Sequence, residues 1–178
     1  YMQRPTPAGG AMFRREMLRR YVTPPRIGRA GIFADTALKE GQRNDFSVLL
    51  YAGTDGRDLY VLDMDRGKWT APVLLERARA FWERHKPHRI ANPAQFTGMH
   101  IEDKASGTGL IQTLRAQTSI PVIAVQRNRD KVSRANDILP YVAGGRLFIP
   151  EGTEWSEPLI SVLCAFSPAV THAYDVQV

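Results

Sequence analysis

Four carboxylates at three separated points of the chain carry the residue types best suited to chemistry: Asp35, the adjacent Glu102 and Asp103, and Asp175. Asp35 closes the short apolar run Ile32-Phe33-Ala34 and is followed by Thr36-Ala37. Such a run predicts a buried strand with the carboxylate at its exit. Burying a carboxylate is costly unless something pairs with it, so a metal ion, a base or a backbone cap is required; Asp also occurs at strand exits for turn reasons alone. A second apolar run, Met99-His100-Ile101, likewise ends in acids, and Asp175 stands near the end of the sequence. Three acidic points this far apart can converge on a divalent cation, because hard cations take carboxylate oxygens.

Other chemistries find less support. His85 and His88 flank Pro87 in a turn, His100 falls in a strand, and His172 lies near Asp175, which is not the spacing of a zinc set and reads as structural. Ser106-Gly107-Thr108-Gly109 has the composition of a phosphate-cradling loop, but no Gly-x-x-x-x-Gly-Lys-Ser/Thr pattern exists anywhere, which argues against nucleotide triphosphate binding. No Ser-His-Asp constellation stands out. The single cysteine, Cys164, excludes an intrachain disulfide and a cysteine-based zinc site, reads as core, and suits a reducing compartment.

The elements that must position the acids follow from punctuation and periodicity. At 178 residues the chain fits one domain. It opens on Tyr1 with no initiator Met, as an excised fragment would, and contains neither a signal peptide nor an apolar run of membrane-span length. Its formal net charge of +6, with acids not scarce, fits a surface that attracts phosphate around a few inward carboxylates. Residues 1–28 read as an arm: a Pro- and Gly-rich start, then Met12 to Tyr21 as a short basic helix stopped by Pro24-Pro25. Strands are expected at Ile32–Ala34, Phe46–Ala52 and Leu59–Asp63, the last two joined by the Gly53–Arg57 turn as an antiparallel hairpin. Asp63 to Trp69 reads as a turn, and Pro72 opens a helix that runs to His85. A strand over Phe96–Ile101, a helix after Gly109 to about Gln117, a strand at Pro121–Val125, a helix over Lys131–Leu139, a short strand Arg146–Ile149 and a helix Ser156–Phe166 complete the order. A three-strand meander followed by alternating helices and strands is the plan of an α/β, ribonuclease-H-like fold: a central mixed sheet, antiparallel then parallel, flanked by helices. In that plan the first and fourth of these strands lie side by side, which sets Asp35 beside Glu102 or Asp103.

Five segments together resemble the C-terminal nuclease domain of the large terminase subunit of tailed bacteriophages or prophages. Tyr1-Met2-Gln3-Arg4-Pro5 with Gly9-Gly10 and Met12-Phe13 is similar to the linker that follows the family's packaging ATPase. Asp35-Thr36-Ala37 with Asn44-Asp45-Phe46-Ser47 resembles its first acidic motif, and Tyr60-Val61-Leu62-Asp63 through Arg66-Gly67-Lys68-Trp69 its second and third strand region. Ile101-Glu102-Asp103-Lys104-Ala105-Ser106-Gly107-Thr108-Gly109-Leu110-Ile111 is the most specific stretch, and Asp130-Lys131-Val132 with Arg134-Ala135 follows at a typical distance. The family's last acidic motif is matched in part by Tyr174-Asp175-Val176, where Val176 replaces a frequent second Asp.

The resemblance implies residues 29–178 as a nuclease domain and residues 1–28 as the arm from an upstream ATPase. It implies a metal-dependent endonuclease cutting double-stranded viral DNA during genome packaging, with two Mg²⁺ or Mn²⁺ ions held by Asp35, by Glu102 or Asp103, and by Asp175. Adjacent strand residues face opposite ways, so one of Glu102 and Asp103 is expected to be the direct ligand. The expectation leans to Asp103, which shares parity with Ile101, with Glu102 close behind. Lys104, Arg127, Lys131 and Arg134 are the expected DNA-backbone contacts. The ATPase domain of the same polypeptide, the portal and the small terminase subunit are the implied partners, with no membrane, in the host cytoplasm. Two rival readings are a DNA-gripping or docking module without activity, and another ribonuclease-H-like nuclease such as a junction resolvase or an integrase-like transferase.

Overall fold

The computed structural model describes residues 10–37, 46–86, 95–104 and 106–168. The expectations for Asp175, His172, His88 and Asn44-Asp45 lie outside the described residues. In chain order, a 3₁₀ turn at Arg15–Met17 is followed by β1 (Leu18–Tyr21), β2 (Arg29–Asp35), β3 (Ser47–Thr54), β4 (Leu59–Gly67), α1 (Ala71–His85), β5 (Phe96–Glu102), α2 (Ser106–Gln117), β6 (Val122–Val125), α3 (Lys131–Ala143), β7 (Leu147–Pro150) and α4 (Ser156–Ala165). These fall into two compact units: Pro24–Arg127, and Tyr1–Thr23 with Asn128–Val178.

The first unit holds five strands in the order β4-β3-β2-β5-β6. β4, β3 and β2 form an antiparallel meander; β5 and β6 add in parallel to β2. The expected mixed sheet, antiparallel and then parallel, is therefore present with its expected neighbours. Alternation along the strands sorts its two faces. Ile32, Ala34, Leu49, Tyr51, Met99 and Ile101 are buried, and they share the face that α1 and α2 cover. Leu74, Ala78 and Phe81 of α1 and Leu110, Ile111 and Leu114 of α2 supply the facing core. Burying side chains of this size is worth about 1.5–3 kcal/mol each, and this face anchors the fold. Phe33, His100 and Leu50 lie on the opposite face, where Phe33 is 43% exposed and stacks on His100 with ring centroids 4.9 Å apart.

In the second unit β1 pairs in parallel with β7, Leu18 opposite Leu147 and Tyr21 opposite Pro150. This corrects the helix expected over Met12 to Tyr21. The apolar positions Phe13 and Leu18 do bury, but Leu18–Tyr21 is a strand because β7 offers it a ladder, and only Arg15–Met17 turns. Arg15 and Arg20 both reach Glu157 at the start of α4, at 2.9 and 2.7 Å. α3 runs one turn past its expected end at Leu139, carrying Pro140 in its last turn. Asp130 caps its start by accepting the Ser133 N–H at 2.8 Å. No helix among the described residues is long and apolar enough to cross a membrane.

Candidate metal and nuclease site

Asp35 closes β2 and Glu102 closes β5. The two strands are parallel neighbours with Ala34 opposite Ile101, so one residue further on Asp35 and Glu102 fall side by side at the carboxyl ends. Side chains of laterally paired residues point to the same face. Phe33 opposite His100 is the pair two residues earlier, and its stacked rings identify the face as the one turned away from α1 and α2. Ligands of open α/β sheets bind beyond the carboxyl ends of the strands, and three parallel strands end here: β2, β5 and β6.

One glycine decides this pairing. Between Ala30 and Ile32 the register shifts, because Ala30 pairs with Phe96 but Ile32 with Met99. Gly98 sits in the resulting bulge at φ 108. A Cβ there would meet the Pro121 carbonyl oxygen at 2.4 Å, so a larger residue is excluded by both space and backbone angle. Without the extra residue Asp35 would stand beside Ile101; with it, Asp35 stands beside Glu102.

Glu102 and Asp103 have distinct surroundings. The Glu102 side chain is only 14% exposed, and Arg127 Nε lies 3.0 Å and Lys104 Nζ 3.4 Å from its oxygens. Asp103 accepts from Thr108 Oγ1 at 2.7 Å and from Gln126 Nε2 at 2.8 Å, while its N–H donates to the Val125 carbonyl at 3.0 Å. Asp103 thus ties the end of β5 to the first turn of α2 and to the residue after β6. The sequence offered Thr108 only as part of a phosphate-cradling stretch and gave Gln126 no role; the visible signal was their position at the start of a helix and directly after a strand.

The segment Ser106–Gly109 is the first turn of α2 rather than a phosphate-cradling loop. The helix begins hard against the strand end: a Cβ on Gly107 would lie 1.9 Å from the Glu102 carbonyl oxygen. On the other side of Asp35, the Ala37 N–H donates to Ser47 Oγ at 3.0 Å. Ser47 is fully buried, so this bond pins the chain just beyond Asp35 to the start of β3.

His100, two residues before Glu102, has its Nε2 2.8 Å from Thr97 Oγ1, and that hydroxyl donates to the Ala30 carbonyl at 3.2 Å. Burial first, and then nearby Arg29, hold the imidazole below its usual pKa. The expected DNA contacts separate. Lys104 is 69% exposed, whereas Arg127 is taken up by Glu102. In the other unit Lys131 is exposed at the start of α3. Arg134 is half-buried, with Nε and Nη1 buried and without a hydrogen-bond partner.

Asp35, Glu102 and Asp103 supply carboxylate oxygens, the donor type that divalent cations take. Among the described residues, however, no group of three or more His, Cys, Asp or Glu side chains is gathered closely enough to hold an ion.

Comparison with known proteins bears on this arrangement. Several solved structures share the fold. The large terminase of a thermophilic bacteriophage, in complex with ADP, matches with a TM-score of 0.64 at 13% identity, over 87% of this chain and 37% of that one. The large terminase nuclease from thermophilic phage G20c matches with a TM-score of 0.61 at 16% identity, over 89% of this chain and 82% of that one. The G20c nuclease with bound magnesium matches with a TM-score of 0.60, also at 16% identity, over 90% and 82%. The chain therefore spans little more than a third of the ADP-bound large terminase and most of the G20c nuclease. No curated protein matches it. The model of the terminase RNaseH-like domain matches residues 32–169, from β2 into the end of the described chain, and the protein belongs to that family.

Proposed function

We propose that the chain is a divalent-metal-dependent endonuclease that hydrolyses phosphodiester bonds of double-stranded DNA during viral genome packaging. The observation that carries this reading is the side-by-side placement of Asp35 and Glu102 at the carboxyl ends of two parallel strands, on one face, in a domain of the terminase RNaseH-like family. A nuclease of the same fold has been solved with magnesium, with zinc and with cobalt bound, which supports a divalent metal.

In this reading Asp35 and Glu102 hold the metal directly and Asp175 completes the set. The register favours Glu102 over Asp103, because Glu102 shares the face of Asp35 while Asp103 is engaged by Thr108 and Gln126. When bound, two Mg²⁺ or Mn²⁺ ions would supply an activated water and neutralise the leaving oxygen. The protein's own residues prepare that site. Asp103 orients the strand end through its two hydrogen bonds. Arg127 and Lys104 balance the Glu102 charge and stand ready to meet phosphate when a metal takes the carboxylate. Lys131 and Arg134 are further candidate backbone contacts. The ATPase domain of the same polypeptide, the portal and the small subunit would be the partners, in the host cytoplasm.

A DNA-gripping module without activity is the second reading. The pairing of Glu102 with two cations favours it, since that is how a carboxylate retained only for folding would be satisfied. Plasmid cleavage separates the two. The nuclease reading expects nicking and cutting with Mg²⁺ or Mn²⁺ that stops in EDTA and that Asp35→Ala abolishes while the protein remains folded. Cleavage undiminished in EDTA, or an active but destabilised Asp35→Ala, overturns it.

A further inference from the structure

The segment Asp63 to Trp69, expected as a turn, continues as strand to Gly67, and this turns Arg66 towards the acid pair's face. Arg66 pairs with Val48, and Val48 pairs with Asp35. Arg66, Val48 and Asp35 therefore form one row on one face, with Arg66 about 10 Å from Asp35 at two strand spacings. The acids of the same strand point the other way: Asp63 meets Arg84 at 3.2 Å and Asp65 meets Arg77 at 3.5 Å, both on α1.

Phe46, 41% exposed, lies beside this row. The Arg66 guanidinium carbon is 3.8 Å from its ring centroid and Lys68 Nζ 5.1 Å. Two cations drawn to one exposed ring raise the local positive potential. Stacking leaves the edge of the guanidinium free to present paired N–H donors outward, the geometry that suits a phosphate. The backbone beneath is fixed. A Cβ on Gly67 would crowd Trp69 Nε1 at 2.2 Å, so the indole rests on bare backbone, and Arg77 lies 5.8 Å over its ring. Rigid placement of a charged donor beside a reactive centre lowers the cost of ordering a bound strand.

We propose that Arg66, stacked on Phe46 and flanked by Lys68, is a phosphate-binding subsite for the backbone of duplex DNA adjoining the Asp35–Glu102 pair; the choice of DNA as ligand rests on the nuclease reading. At about 10 Å from Asp35 it takes a phosphate within about three base-pair rises of 3.4 Å from the one at the acids. It contacts backbone and not bases, so it adds affinity and alignment without sequence preference.

The test is binding of a fluorescent duplex oligonucleotide by the whole chain in EDTA, from about 50 to 200 mM salt, so that affinity is read apart from cleavage. Arg66→Ala is expected to weaken binding about tenfold and to flatten the dependence of log K on log salt by about 0.9. Phe46→Leu is expected to weaken it about two- to fivefold, and Arg66→Lys to keep the salt slope while losing affinity, which preserves the test if the alanine variant misfolds. Arg57→Ala removes the same charge from the turn between β3 and β4, at the opposite end of these strands, and is expected to leave affinity and slope near wild type. Equal effects of Arg66→Ala and Arg57→Ala overturn the subsite, as does wild-type protein that binds no duplex. If wild type cuts DNA with metal but Arg66 is indistinguishable from Arg57, the subsite falls and the nuclease reading stands. If the slope depends on Arg66 but no metal supports cleavage, the nuclease reading falls and the subsite stands.

Discussion

Replacing Gly107 by alanine tests the coupling between α2 and the acid pair. The added Cβ would sit 1.9 Å from the Glu102 carbonyl oxygen, where ordinary contact begins at 3.4 Å. Strand end and helix start must therefore part by about 1.5 Å, and neither side of the contact is a flexible side chain that could swing away. Overpacking of this kind costs about 1–3 kcal/mol, and a gap between two backbone segments belongs at the upper end. For a domain of this size each kcal/mol is worth about 2–4 °C, so the melting temperature should fall by roughly 5–10 °C. The displaced atoms are those that carry Glu102 and, through Thr108, Asp103. A misplacement of about 1 Å in a site that depends on position can cost about 10²-fold in rate, so metal-dependent cleavage should drop by that order even where the fold survives. Gly109 supplies the internal control. It lies in the same helix with nothing within 4 Å of a Cβ, and Gly109→Ala should raise stability by up to about 1 kcal/mol through helix propensity. Thermal melts and plasmid cleavage on both variants decide the matter. If Gly107→Ala melts and cuts like Gly109→Ala, the close approach of α2 to β5 is not what holds the acids.

Two further outcomes follow from charge. Burial alone would push the Asp63 carboxyl up, but hydrogen bonds from His85, the Met64 N–H and Arg84 outweigh it and hold the group below the ordinary carboxylate range; stability from this source is therefore present above the unfolded value near about 4 and lost as pH falls through the lower folded value. Asp63→Asn should flatten the fall in melting temperature between about pH 5 and pH 3, and an unchanged profile would remove Asp63 from the acid sensitivity. Arg127→Ala removes a guanidinium 3.0 Å from Glu102 that a metal must displace, so Mn²⁺ should bind about fivefold tighter, the equivalent of one modest ion pair; titration calorimetry that finds weaker binding would show Arg127 to be positioning the carboxylate instead.

Much of the sheet was legible because alternation, turn residues and Pro positions are local signals. The hairpin expected from Phe46–Ala52 and Leu59–Asp63 is present, with strands that run longer, over Ser47–Thr54 and Leu59–Gly67, and the helix at Pro72 appears where its signal put it. The failures are where a partner distant in sequence decides. Leu18–Tyr21 looks helical alone and becomes a strand only because β7, far along the chain at Leu147–Pro150, offers hydrogen bonds; tertiary context overrides propensity in such short segments. Asp63 to Gly67 looks like a turn because it is acidic and polar. It remains a strand because α1 supplies His85, Arg84 and Arg77 to take Asp63 and Asp65. The 2.6 Å contact puts the proton on His85 Nε2, since an ionised carboxylate only accepts. Missing that extension hid Arg66, whose direction depends on strand parity.

The choice between Glu102 and Asp103 shows why parity within one strand cannot settle a site built from two. Counting along Met99 to Asp103 sets the two acids on different sides, but the strand ends at Glu102, and which side faces Asp35 depends on how β5 is offset against β2. That offset is set by the bulge at Gly98, and Gly98 is tolerated there only because it lacks a Cβ beside the Pro121 carbonyl. A glycine inside an otherwise apolar strand is a sequence signal for such a bulge. Applied here, it moves every later residue of β5 by one place relative to β2, and a shift of one residue exchanges the two faces of a strand. The lean towards Asp103 rested on its parity with Ile101. The observed register puts Ile101 against the helices with Ala34, which sends Glu102 to the face of Asp35 and leaves Asp103, past the strand's last residue, to be taken by Thr108 and Gln126. The two acids are thus not interchangeable copies of one function: the strand offset gives the first a place beside Asp35, and the tight start of α2 gives the second its hydrogen-bond partners.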